Sequence, residues 1–183
     1  MELQDELNRL AINLTKDYNL QNQIYHINAD ILEHDFLNLK FDSIVSWLAL
    51  YHILSRKKLL NKIYNLLEDD GFFYSEDFFI NARLNDKDKK LLKKSFHANY
   101  LVDFNRYIND LKTANFRILY TKDMTEDWKR FTLERYEGYK INLERHIKIN
   151  GKQAASSVLA FYKLAYTLLS KNIIGGIKFA CKK

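Results

Sequence analysis

Two apolar stretches of this chain end on side chains that can handle charge. The run FDSIVSWLALYHI, residues 41–53, passes through Ser46, Trp47 and Leu48 and then reaches Tyr51 and His52. The run FFYSEDFF, residues 72–79, carries Glu76 and Asp77. An indole face attracts a cation, a carboxylate orients a cationic amine, and an imidazole accepts a proton near neutral pH. Each residue also has an ordinary reading. Trp47 serves equally as core, His52 as a histidine satisfied by backbone, and Asp77 as a loop carboxylate. His26, His34, His97 and His146 are scattered without metal-ligand spacing.

The elements that must position these groups follow from hydrophobic periodicity. Residues 41–48 form a continuous apolar strand, buried on both faces if its sheet is parallel. SRKKLLNKIYNLLEDD places Leu59, Leu60, Ile63, Leu66 and Leu67 on one side of a helix, with Ser55 as N-cap. Gly71 ends the following turn, and residues 72–79 form the next strand. Strand, helix, strand of this kind builds a parallel pair, with ligands at the strand ends. Upstream, Leu3, Leu7, Leu10, Ala11 and Leu14 share a helix face, and Gln23–Asn28 reads as a short strand ending at Ala29-Asp30. Downstream, residues 80–114 read as an inserted cap of two helices. FRILYTKDMT is a strand, and Thr125 N-caps one long helix running to Gly151. A further helix and a final strand follow, with Gly175-Gly176 as a bulge or turn. The alternation predicts an α/β fold with a mostly parallel sheet. The last strand is antiparallel, the closing pair inserts at one edge, and residues 1–183 form one domain.

Composition narrows the classes. Of 183 residues, 47% are hydrophobic, enough for a core and too many for a disordered chain. The single Cys181 excludes a disulfide framework, and no apolar run is long enough to suggest a membrane span or signal peptide, so a cytoplasmic setting is expected. The net charge of +6 raises nucleic acid as a partner. Lysines spread over helix faces, with no basic and aromatic interleaving, make that the weaker alternative.

Four segments together resemble the class I S-adenosylmethionine-dependent methyltransferases. NADIL resembles the acidic motif after the third strand, FDSIVSWLALYHI the fourth-strand motif, and LLEDDGFFYSEDFF the fifth-strand motif, with Asp70-Gly71 in place of Gly-Gly. DMTEDWKRFTLERYEGY resembles the pre-final helix of small-molecule N-methyltransferases of the sarcosine/dimethylglycine and phosphoethanolamine type. The resemblance implies a Rossmann-like methyltransferase fold and S-adenosylmethionine as cofactor. It assigns Glu2 to the ribose hydroxyls, Asp30 to the adenine amino group with Ile31 on the ring, and Ser46, Trp47 and Leu48 to the methionine part. It sets His52 and Asp77 beside the methyl acceptor, with Tyr51, Tyr100, Tyr107, Trp128 and Arg135 lining the acceptor side. The expected acceptor is a small molecule, an amine before a hydroxyl compound, because the strand-four Asn-Pro-Pro-Tyr type segment of nucleobase methylation is missing.

The family's Gly-x-Gly-x-Gly turn has no counterpart among these residues. By resemblance Glu2 stands at the end of the second strand, so the chain is expected to be N-terminally truncated. Without the turn, close backbone approach to the cofactor is lost. Without the strand before it, a row of backbone groups lies open at a sheet edge, inviting self-association or a complementing chain. The alternative to an enzyme is a catalytically inactive interaction module of the same fold.

Overall fold

In the computed structural model, which describes residues 1–183, the polypeptide divides into two units, Met1–Leu39 and Lys40–Lys183. The first unit holds α1 (Asp5–Asp17). Acidic residues in its first turn and Lys16 in its last complement the helix dipole. Its leucines repeat with helical period as expected, yet Leu7, Leu10 and Leu14 are each about half exposed, while Asn8 and Thr15 are buried. The expected strand at 23–28 does not form. Asn28 makes one isolated parallel bridge with Glu2, through Glu2 N–H to Ile27 O and Ala29 N–H to Glu2 O. A ladder needs a partner strand, and in this unit only the residues around Glu2 offer one. His26 is instead held through its Nε2, 2.7 Å from the Thr15 hydroxyl.

The second unit opens with β1 (Phe41–Trp47), a short 3-10 turn (Leu50–His52), α2 (Arg56–Leu66) and β2 (Leu67–Ile80). It continues with α3 (Asp86–Phe96), α4 (Phe104–Thr113), β3 (Arg117–Asp123), α5 (Thr125–Ile141), α6 (Leu143–Asn150), α7 (Lys152–Ser170) and β4 (Ile174–Lys182). The sheet order is β1-β2-β4-β3, with β1 parallel to β2 and β4 antiparallel to both its neighbours. Three strands therefore run one way and the C-terminal strand runs against them, the mostly parallel α/β arrangement expected. The closing pair β3 and β4 occupies one edge of the sheet as expected, with β4 on the inner side and β3 outermost. The composition of β4 accounts for its inner place, because Ile174, Ile177, Phe179 and Cys181 are fully buried and need neighbours on both sides.

Gly175 and Gly176 make neither bulge nor turn. They pair in unbroken register with Phe79 and Phe78. A Cβ on Gly175 would stand 2.4 Å from the Phe79 ring, and one on Gly176 2.5 Å from the Trp128 indole. The glycines make room for two aromatic rings. At the head of β2 the left-handed residue is Asp70 (φ 67°) rather than Gly71. Gly71 lies within β2, where a Cβ would be 2.9 Å from Glu68 O.

Helix ends also depart from simple capping. Ser55 occupies the N-cap of α2 but makes no side-chain capping bond. Met124, not Thr125, sits at the N-cap of α5; the Thr125 hydroxyl accepts from Gly176 N–H and thereby ties α5 to β4. The long helix expected over 125–150 breaks at Asn142, whose amide donates to Gly138 O.

One face of the sheet is covered by α2 and α4. Phe73, Phe79, Ile177 and Phe179 meet Leu59, Leu60, Ile63 and Leu111, all almost fully buried. Burial of this kind contributes roughly 1.5–3 kcal/mol per large side chain. Of the segment read as a cap, α4 therefore lies in the sheet-covering layer: Tyr107 and Leu111, one turn apart, anchor it there. α3 packs elsewhere, with Leu92 and Phe96 joining Tyr51, Phe78, Leu168 and Leu169 in a second cluster.

Candidate active site

Parallel pairing sets the C-terminal ends of β1 and β2 side by side, Ser46 opposite Ser75 and Trp47 opposite Glu76. Side chains alternate along a strand, so two surfaces arise. Trp47, Tyr74 and Glu76 share one. Trp47 is 66% exposed there, with its ring edge-on to Tyr74 at 6.4 Å, and Lys178 reaches Glu76 at 3.3 Å. Ser46, Ser75 and Asp77 share the other. Glu76 and Asp77 thus face opposite sides, as their spacing requires. After Trp47 the backbone turns at Leu48 (φ 51°), whose N–H donates to Glu76 O.

Asp77 does not reach an open surface. It is fully buried, accepts a 2.8 Å hydrogen bond from the Tyr107 hydroxyl, and lies 3.9 Å from Arg56 Nη1. Burial pushes its carboxyl up to about 7; the Arg56 charge, the Tyr107 hydroxyl and the Phe78 and Tyr51 backbone N–H groups pull the other way. Burial and the neighbouring Asp77 charge both raise the Tyr107 and Tyr51 phenols, so both remain protonated. The Arg56 guanidinium stacks on the Tyr107 ring at 4.0 Å and lies 5.8 Å from the Tyr100 ring. Asp77 therefore meets Tyr107 and Arg56 inside the protein and presents no oxygen to an open surface.

The loop after α3 straps over the 3-10 turn. Asn99 and Tyr100 N–H both donate to Tyr51 O, and the Asn99 amide donates to His52 O. His52 Nδ1 lies 2.9 Å from His97 O. A carbonyl only accepts, so the ring donates through Nδ1–H. The Tyr51 and His52 rings lie 3.9 Å apart, tilted by 39°. Three predicted residues, Tyr51, His52 and Tyr100, are thus brought together. Trp128 is placed apart from them in packing, edge-on to Phe78 at 5.0 Å over Gly176. Arg135 lies seven residues, or about 10 Å, further along α5, with its guanidinium over the Phe131 ring at 5.2 Å.

Glu2 and Asp30 belong to the first unit. Their segments meet at the Glu2–Asn28 bridge, and each commits one carboxylate oxygen to a local N–H, of Gln4 and Leu32 respectively. Two carboxylates on adjoining extended segments, beside Ile31, suit the hydroxyls and amino group of a nucleoside. The exposed indole of Trp47 and the turned backbone of Leu48 suit the amino-acid end of such a ligand. Within the first unit the carboxylates fit the nucleoside part of S-adenosylmethionine, and within the second the β1 strand end fits its amino-acid part.

Arg56 was not among the expected site residues, although the sequence carries a signal for it. It stands three and four positions before Leu59 and Leu60, in phase with the apolar stripe of α2. A basic residue on that stripe needs a buried acidic or aromatic partner, and Asp77 and Tyr107 supply both.

The comparisons agree with this architecture. Residues 3–75 match the family described as a methyltransferase domain. The Haemonchus contortus phosphoethanolamine N-methyltransferase 2 aligns with a TM-score of 0.76 at 22% identity, over 85% of this chain and 36% of that one. A proposed sarcosine dimethylglycine methyltransferase from Galdieria sulphuraria aligns with a TM-score of 0.83 at 11% identity, over 100% and 68% of the two chains. The Mycobacterium tuberculosis cyclopropane synthase MmaA2 aligns with a TM-score of 0.74 at 13% identity, over 96% and 67%. The chain thus spans little more than a third of the phosphoethanolamine enzyme. No curated relative matches at a significant level.

Proposed function

We propose that this chain, with its class I methyltransferase fold and a methyltransferase-domain match over residues 3–75, works in S-adenosylmethionine-dependent methyl transfer to a small-molecule amine. The reading rests on one observation above others: the parallel β1–β2 pair delivers Ser46, Trp47 and Leu48 to the strand ends. Those ends lie beside the strapped Tyr51–His52 turn.

S-adenosylmethionine supplies a methyl group already activated as a sulfonium, so neither metal nor covalent intermediate is required. The residues of this chain then have to hold and orient. Glu2, Asp30 and Ile31 would bind the nucleoside, and Ser46, Trp47 and Leu48 the amino-acid end. The Trp47 face attracts a cationic centre. Holding two reactants in line near ~3 Å contributes about 7–11 kcal/mol. His52, with its proton on Nδ1, offers Nε2 to the proton that an ammonium acceptor must lose. Tyr100 closes the acceptor side, with the α3 segment as cap. Asp77 keeps Arg56 and Tyr51 in place beneath it.

A cytoplasmic setting is part of the proposal. No helix is long and apolar enough to cross a membrane. β1 is an edge strand with Val45 and Trp47 exposed, and there a second copy or a complementing chain would add a strand.

Methyl-labelled S-adenosylmethionine offered with a panel of amines and alcohols tests the reading. Label is expected on amines, and His52→Gln should lower transfer while leaving cofactor binding intact. Cofactor binding with no transfer to any acceptor would instead make this an inactive interaction module.

A further inference from the structure

We propose that the outer face of α6, with the end of α5 and the start of α7 beside it, docks on an anionic lipid surface. This face stands apart from methyl transfer, and it would lie on a bilayer rather than in one, since no helix is long and apolar enough to cross. Ile141, Arg145, Lys148 and Ile149 stand at positions i, i+4, i+7 and i+8, which share one side of a helix. All four are exposed, Ile141 by 81% and Ile149 by 65%. Leu143, His146 and Ile147 take the opposite side and are half-buried where α6 packs on α7. The break at Asn142 leaves this arrangement fixed. Its amide donates to Gly138 O, and the Tyr139 and His146 rings stack at 3.8 Å across it.

Charge supplies the second observation. Lys140, Arg145, Lys148 and Lys152 fall within residues 140–152, which hold one carboxylate, Glu144. All four cations are exposed and none reaches a carboxylate. The start of α5 is different: there Lys129 pairs with Glu126 and Arg130 with Asp127. Bare isoleucines inside an uncompensated basic rim are the pattern of a bilayer interface, whose headgroups carry negative charge and whose interior takes apolar side chains. A second copy of the chain would set this cationic face against its like. A nucleic acid would satisfy the cations but leave both isoleucines in water, and that face offers no aromatic ring to stack on a base.

The division of labour follows. Ile141 and Ile149 enter the boundary between headgroups and acyl chains. Arg145 and Lys148, between them in sequence, lay their apolar stems along that boundary and reach the lipid phosphates with their charged ends. Lys140 and Lys152 flank them at the end of α5 and the start of α7. Each cation near an anionic leaflet raises affinity about fivefold. Charge therefore recruits the surface, and the isoleucines retain it.

The test sediments the full 183-residue chain with vesicles of phosphatidylcholine alone or mixed with phosphatidylglycerol, in dilute and in concentrated sodium chloride. Binding is expected to the anionic vesicles in dilute salt, with loss in concentrated salt and almost none to phosphatidylcholine. Arg145→Gln with Lys148→Gln should weaken it about 25-fold, two charges at about fivefold each. Ile141→Ser with Ile149→Ser should weaken it at least about tenfold. All four side chains are exposed, so circular dichroism should show an unchanged fold in both variants. A polarity-sensitive dye on Ile149→Cys should shift to the blue on anionic vesicles; the native Cys181 is buried and escapes labelling. Equal binding to both kinds of vesicle, no binding to either, or binding untouched by the isoleucine pair would overturn the proposal. So would salt-sensitive retention of single-stranded RNA without vesicle binding, which would assign the face to nucleic acid.

Discussion

Replacing Asp77 by Asn separates the charge of this residue from its shape. The folded-state carboxyl is pushed up to about 7, by burial first, against the opposing pull of Arg56 and Tyr107. In the unfolded chain it returns to roughly 3.9. A folded pKa raised above the unfolded one means that the folded state holds the proton more tightly. Stability from this group is therefore complete below about pH 4 and is lost as pH rises toward 7. Each pH unit in that window costs about 1.4 kcal/mol, so the loss between pH 5 and pH 8 is about 2–3 kcal/mol. Asn cannot ionise, fits the same space and still accepts from the Tyr107 hydroxyl. Urea unfolding of both proteins at intervals from pH 5 to pH 8 gives a difference curve in which all other titrating groups cancel. The stability of Asp77→Asn relative to the parent should climb by about 2–3 kcal/mol across that range and level off above pH 7. A flat difference curve, or one that falls with pH, would refute the buried, weakly compensated carboxyl on which the Arg56–Asp77–Tyr107 argument depends.

Other consequences are as direct. Tyr107→Phe removes the 2.8 Å hydrogen bond to Asp77; it should cost about 1–3 kcal/mol in chemical denaturation and shift the Asp77 midpoint upward. Gly176→Ala forces a methyl group to within 2.5 Å of the Trp128 indole; destabilisation of about 1–3 kcal/mol is expected, with a change in tryptophan fluorescence. Trp47→Ala acts on an exposed indole, so stability should move by no more than about 0.5 kcal/mol, while affinity for S-adenosylhomocysteine falls in calorimetry.

Much of the architecture was legible because periodicity reports burial. α2, β2, β3 and α7 stand where their apolar residues put them, and the reversal of the last strand agrees with the family resemblance; β1 forms where expected but, as an edge strand, is not buried on both faces. What escaped was decided by partners rather than by local pattern. The 23–28 segment has strand-like residues, but only Glu2 meets it. Gly175 and Gly176 look like a turn until the rings of Phe79 and Trp128 occupy the space above them. At the site, the pairing of strand ends was legible from spacing, whereas Tyr51 and His52, read as the start of the next helix, stand in a separate turn before it. The burial of Asp77 was not, because a carboxylate at a strand end reads as exposed. Arg56 was legible only in phase, as a cation on an apolar stripe.

The central proposal is a nucleoside-sulfonium ligand, with Glu2, Asp30 and Ile31 assigned to its nucleoside and, separately, the β1 strand end to its amino-acid part. Amide-resolved NMR of the isotope-labelled 183-residue chain, titrated with S-adenosylhomocysteine, tests that claim most directly. Shift changes should concentrate at residues 2, 28–32 and 46–48, with affinity weaker than micromolar because no Gly-rich turn is present to close on the ligand. Micromolar affinity would contradict the role given to that turn, and shift changes absent from all three segments at millimolar ligand would contradict the site itself.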